Sequence, residues 1–114
     1  MAIIGGGPAG YVAAERAGHL GKSVVLFEAD ELGGTCLNTG CVPTKTLLHS
    51  AKLLAHARDG AAFGVRIDGA RLDYPVLKAR MEKVRAGLRA GVAGLMKRAK
   101  AEVVKARAEI RDLR

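Results

Sequence analysis

The run "AIIGGGPAG", residues 2 to 10, restricts the possible fold more than any other stretch of this chain. "AII" is a short apolar segment that reads as a buried strand. Gly5, Gly7 and Gly10 follow it in a G-x-G-x-x-G pattern. The first glycine suits a tight turn, and the second lets a pyrophosphate approach the backbone. The third lets a helix start close to the sheet, its free N–H groups facing an anion. "GYVAAERAGHLGK" then has Val12, Ala13, Ala17 and Leu20 at helical spacing and stops at Gly21, and "SVVLFE" reads as a second buried strand. Strand, helix and strand within roughly 28 residues form a βαβ unit, so a parallel α/β sheet of Rossmann type is expected. Glu28 ends the second strand, where a carboxylate can accept hydrogen bonds from ribose hydroxyls and would repel a 2′-phosphate.

The remainder reads as helix, connection, helix and strand. "PTKTLLHSAKLLAHARDG" has Pro43 in its first turn, Gly60 just past its end and an apolar stripe through Leu47, Leu48, Ala51, Leu54 and Ala55. This predicts a loop-and-helix segment over 33–59, its loop running from Ala29 to about Cys41. A glycine-punctuated connection leads to a long helix over 73–100, in which Gly87, Gly91 and Gly94 are expected to meet a closely packed backbone. "AEVVKARAEI" predicts a strand over 102–110.

At 114 residues and 49% hydrophobic, the chain suits one modest, foldable domain rather than two. It has no apolar run of transmembrane length and no basic segment ahead of the glycines, so no membrane span or secretory signal is expected and the expected location is cytoplasmic. The net charge of +8 concentrates after position 78. That segment interleaves no aromatics and holds no nucleic-acid reading motif. Its basic residues therefore read as solvated helix faces or protein contacts, and nucleic acid is disfavoured as a partner.

Cys36 and Cys41, the only two cysteines, stand five positions apart in "GGTCLNTGCVPTK". A reducing compartment gives a structural disulfide little use. Zinc is disfavoured, because His49 and His56 would both have to swing back from the following helix, and no metal is expected. Cys41 should lie near a helix N-terminus, where free N–H groups favour a thiolate, with Lys45 on the same face. A second sulfur five residues away makes a reversible dithiol/disulfide.

"GGGPAG", "VVLFE" and "GGTCLNTGCVPTK" together closely resemble the pyridine nucleotide-disulfide oxidoreductases. Within that family "GPAGYVAAERAGHLGKSVVLFE" and "GGTCLNTGCVPTKTLLHSAKL" are most similar to the dihydrolipoamide dehydrogenase branch. The resemblance is strong to about residue 58 and a match of pattern beyond it. It implies FAD as cofactor and NAD as co-substrate. Gly5, Gly7, Gly10 and Glu28 would hold the FAD pyrophosphate and adenosine ribose, and Gly34 and Thr35 would lie along its phosphates and ribityl chain. It implies that Cys41 faces the flavin, that Cys36 exchanges with substrate, and that Lys45 sits near flavin N5.

The implied reaction is oxidation of dihydrolipoyl groups carried by 2-oxo acid dehydrogenase or glycine cleavage complexes. Family enzymes are several times longer, dimerise through a C-terminal domain and take their catalytic histidine from it. His19, His49 and His56 match no such motif. The expectation is therefore a partial FAD-binding domain, incomplete on its C-terminal side and inactive alone. Glutathione or mercuric reductase chemistry, and a non-catalytic basic binding module on the same scaffold, are the alternatives.

Overall fold

The computed structural model describes residues 1–112. β1 (Ala2–Ile4), α1 (Pro8–His19) and β2 (Val25–Glu28) form the βαβ unit. Three helices follow, α2 (Gly34–Asn38), α3 (Cys41–Asp59) and α4 (Tyr74–Arg98), and then β3 (Glu102–Lys105). A short 3-10 turn, Gly60–Phe63, ends α3. The sheet is wholly parallel in the order β1-β2-β3, with Ile3 beside Leu26 and Leu26 beside Val103. All three strands end at the same edge, where parallel sheets place their ligands.

Local chemistry sets the element ends. Pro8 opens α1, where its missing N–H costs no hydrogen bond. Asp73 caps α4 by accepting from the Val76 N–H at 3.1 Å. The turn from α4 into β3 passes through Lys100 at φ 54°, a left-handed conformation that favours glycine.

The core lies between α1, α4 and one sheet face. Ala14, Ala17, Val24, Leu26 and Met96 are buried together, with Ile3, Tyr11, Leu32 and Leu95 against them. Small side chains bring α1 close, and at Gly18 it meets the turn after α4: a Cβ there would stand 2.1 Å from the Ala99 carbonyl oxygen. No helix among the described residues packs on the opposite sheet face, where Ile4 is 55% exposed. The α3–α4 hairpin extends beyond the sheet, so the molecule measures 67 × 27 × 21 Å.

Three expectations change. The strand predicted over 102–110 stops at Lys105, because β2, its partner, ends at Glu28 opposite that residue. The loop expected from Ala29 to Cys41 holds a turn of helix, α2. Among the described residues, a methyl group added at Gly87 or Gly91 would meet no other atom within 4 Å outside its own helix, and one at Gly94 would meet only the end of Arg98, so no described backbone packs on them.

Candidate active site

The glycine turn and the dithiol segment are joined. Gly5, at φ 96°, turns the chain out of β1 and donates its N–H to the Phe27 carbonyl at 2.8 Å. Gly10, in the first turn of α1, lies against that turn, and a Cβ on it would stand 1.7 Å from the Gly5 oxygen. Gly33 donates to the Gly6 carbonyl at 2.8 Å, and a Cβ on Gly34 would come within 2.7 Å of the Gly7 Cα. Two glycine segments far apart in sequence therefore touch backbone to backbone. The first helical bond of α1 runs from Tyr11 to the Gly7 carbonyl, and no side chain caps the helix. The N–H groups of its first turn accordingly face outward beside Gly34, as an anion site requires.

Glu28 has a structural task that sequence reasoning missed. Its Oε2 accepts from the Gly6 N–H at 2.7 Å and its Oε1 from the Asp30 N–H at 2.8 Å. It fixes the glycine turn while each oxygen retains a free lone pair. A hollow of about 180 Å³ beside it is lined by Glu28, Gly34 and the exposed Thr35.

The cysteines meet through a tight reversal. The Thr35 carbonyl accepts from the Thr39 and Gly40 N–H groups at 3.0 and 2.6 Å, folding the chain back after one turn of α2. Gly40 allows this closeness, since a Cβ there would sit 3.0 Å from that oxygen. Asn38, between the two cysteines, was also missed. Its Nδ2 donates to the carbonyls of Glu31, Leu32 and Gly34 at 3.2, 3.1 and 3.0 Å, while Arg85 of α4 donates to its own carbonyl at 3.1 Å. The available signal was an amide residue inside a glycine-bounded turn.

Cys41 is the first residue of α3, and Lys45 follows one turn later. Both cysteines are unbonded thiols; Cys36 is half-buried on α2 and Cys41 is exposed. Cys36 is partly covered because it lies on the short helix α2, whereas Cys41 stands at the exposed start of α3. A hydrogen bond with Cys41 is the chief factor raising the Cys36 pKa above the ordinary thiol value. Burial and repulsion by the Cys41 charge add to it, and the Lys45 charge partly offsets it.

Cys36 also lies on the wall of a groove of about 450 Å³, lined chiefly by Tyr11, Leu37, Val42, Leu88 and Leu95. On the other side of the sheet edge, Glu31 bridges Arg89 at 3.3 Å and Lys105 at 3.2 Å. The hydrogen bond from Lys105 is the largest influence holding the Glu31 carboxyl below its usual range, followed by the charges of Lys105 and Arg89.

A doubled glycine cradle beside a dithiol at a helix start defines a class of redox protein, and comparison with known proteins names it. The family model described as pyridine nucleotide-disulphide oxidoreductase matches residues 1–114, and the chain belongs to that family. It is 44% identical over 107 residues to a dihydrolipoyl dehydrogenase of Bacillus subtilis, a match covering 92% of this chain and 23% of that protein. It is 46% identical over 103 residues to the dihydrolipoyl dehydrogenase of Rhizobium etli, covering 90% of this chain and 21% of the relative. Among solved structures, LpdA from Mycobacterium tuberculosis superposes with a TM-score of 0.85 at 28% identity, over 98% of this chain and 24% of that one. The HOCl-induced flavoprotein disulfide reductase RclA from Escherichia coli, solved as a Cu(II) complex, gives 0.76 at 29% identity, over 96% and 22%. The chain therefore spans less than a quarter of the length of these relatives.

Proposed function

We propose that this chain is the FAD- and disulfide-bearing segment of an enzyme that oxidises dihydrolipoyl groups with NAD. The observation that carries the reading is the meeting of Cys36 and Cys41 at the start of α3, with Lys45 beside them and the glycine cradle adjoining. The outward N–H groups of α1, Gly7 and Gly34 suit the pyrophosphate of FAD. The free lone pairs of Glu28 suit its ribose, and Thr35 borders the same hollow. Bound FAD would supply a two-electron acceptor for the dithiol, with NAD as the final acceptor.

The chemistry of the chain's own residues is thiol–disulfide exchange. With Cys36 and Cys41 oxidised, a substrate thiolate attacks the Cys36 sulfur from the groove, and the electron pair of the broken S–S bond passes to Cys41. The second substrate thiolate then displaces Cys36, closing the lipoyl ring and leaving a reduced Cys36/Cys41 pair. The start of α3 and Lys45 stabilise the Cys41 thiolate as leaving group. An apolar groove suits the alkyl chain of a lipoyl arm. The lipoyl-bearing complexes that would deliver that arm, the homodimer of the complete enzyme and its cytoplasmic location belong to the same proposal. No helix among the described residues is long and apolar enough to cross a membrane.

The test is NAD reduction by dihydrolipoamide in the complete enzyme that contains this segment. Cys36→Ser and Cys41→Ser should each abolish turnover while flavin content stays unchanged. Turnover that survives either substitution would refute the assignment.

A further inference from the structure

We propose that Arg85 is a positioning residue for the Cys36/Cys41 couple: from α4 it holds the turn between the two sulfurs in the form that closes to the disulfide. The inference rests on the reading of the two cysteines as one reversible couple. Cys36 lies on α2 and Cys41 at the first position of α3, so the turn that joins these helices sets the approach of the sulfurs. Asn38 is the last residue of α2, and its carbonyl is one of the acceptors that a helix end leaves without an internal partner. The Arg85 Nη1 donates to that carbonyl at 3.1 Å, from 47 positions along the chain. The turn's other hydrogen bonds are local: the Thr35 carbonyl accepts from Thr39 and Gly40, and the Asn38 Nδ2 donates to Glu31, Leu32 and Gly34. Arg85 instead ties the turn to the long helix, whose Val92 and Met96 are buried further along.

The guanidinium is itself fixed. It pairs with Glu82 one turn earlier on α4, and the Arg85 side chain is only 28% exposed. The Arg85 Nε and the Asn38 Oδ1 are both buried, so water has little access to the contact. A hydrogen bond from a charged donor in such surroundings is of the stronger kind. Its effect on the sulfurs is geometric, since the charges that act on the Cys36 thiol are those of Cys41 and Lys45. Gly40, next to Cys41, loses more freedom on ordering than any other residue type would. An S–S bond needs this turn in one conformation, whereas two free thiols tolerate many. A turn held in advance loses less freedom when the bond closes, so Arg85 favours the disulfide over the dithiol.

The test equilibrates the purified protein with mixtures of reduced and oxidised dithiothreitol, quenches in acid and reads the alkylated and unalkylated forms by mass spectrometry. As the Cys36–Cys41 bond forms, the S–S bond of the oxidised reagent breaks and takes up the two protons and two electrons. Arg85→Met keeps an apolar stem in place and removes the donors. For half-conversion it should need an oxidised-to-reduced ratio about fivefold higher than wild type, about 20 mV for a two-electron couple. Arg85→Lys keeps a cationic donor and should recover most of that shift. In urea, Arg85→Met should lose more stability as the disulfide than as the dithiol, the difference matching the shift. A merely structural role predicts equal losses in both forms and an unchanged half-conversion ratio. That result would overturn the inference and leave the couple standing. An Arg85→Met protein that does not fold would make Arg85 a residue of the fold and overturn the inference as well. Failure of the wild type to form an intramolecular Cys36–Cys41 disulfide would overturn the reading of the couple and this inference with it.

Discussion

The same substitution at two helical glycines should change stability in opposite directions. By helix propensity alone, Gly→Ala within a helix gains about 1 kcal/mol. At Gly87 of α4 nothing lies within 4 Å of the new methyl group, so the gain is realised in full. At Gly18 of α1 the methyl would stand 2.1 Å from the Ala99 oxygen, 2.9 Å from its Cβ and 3.0 Å from its carbonyl carbon. The clash is chiefly with backbone, and Ala99 is 3% exposed, so α1 and the α4–β3 turn must part by about 1 Å. A gap of that size forfeits a quarter to a half of each dispersion contact across it. The contacts affected join Ala14 and Ala17 to Met96 and Leu26, the centre of the core. Overpacking of this kind costs ~3 kcal/mol or slightly more, leaving a net loss of about 2 kcal/mol for Gly18→Ala. Urea unfolding followed by far-UV circular dichroism reads both effects. With a slope of about 1–2 kcal/mol per molar urea, Gly18→Ala should lower the midpoint by roughly 1–2 M and Gly87→Ala should raise it by about 0.5–1 M. Equal shifts of the same sign would show that propensity alone governs both sites and that the α1–Ala99 contact is not tight.

Further outcomes follow from single residues. Lys100→Gly relieves a left-handed backbone and should stabilise the protein by about 1 kcal/mol in the same urea assay. Glu31 has a carboxyl held below its ordinary range by Lys105 and Arg89, so its contribution to stability is present at neutral pH and lost as pH falls through that lowered value. Glu31→Gln should therefore be less stable than wild type at pH 7 in low salt, with the difference closing in acid and shrinking in high salt. Cys36 keeps its proton above the ordinary thiol range, and the Lys45 charge opposes that. Lys45→Gln should accordingly move the pH profile of Cys36 alkylation, read by mass spectrometry on the reduced protein, to higher pH. An unchanged profile would separate Lys45 from the dithiol.

The readable parts of this chain were those written in local spacing. Gly5, Gly7 and Gly10 after an apolar run, and Glu28 after a β-branched one, announce strand, turn, helix and strand, because each glycine answers a backbone requirement of its immediate neighbours. The existence of α3 and the length of α4 were legible from helical period, although the α3 stripe is left largely exposed, Leu48 at 50%. Contacts between distant segments carried no such mark. Gly18 looks like any small helical residue until Ala99 arrives against it. Five residues of α2 are too few to show a period, so its existence depends on the Thr35 carbonyl and the Asn38 amide. That short helix is also why Cys36 is partly covered while Cys41 stands exposed. Gly87 and Gly91 suggested close packing by composition, and only the arrangement of the helices shows that none of the described residues covers them.

The central claim is that Cys36 and Cys41 form one reversible, intramolecular redox couple. The most direct measurement equilibrates the protein across a series of dihydrolipoate/lipoate ratios, quenches in acid and alkylates the remaining thiols for intact-mass analysis. The account predicts two interconverting monomeric species, one doubly alkylated and one two hydrogens lighter and unalkylated, whose proportions follow the ratio in both directions. Persistent singly alkylated protein, mixed disulfides, or dimers linked between chains would contradict it.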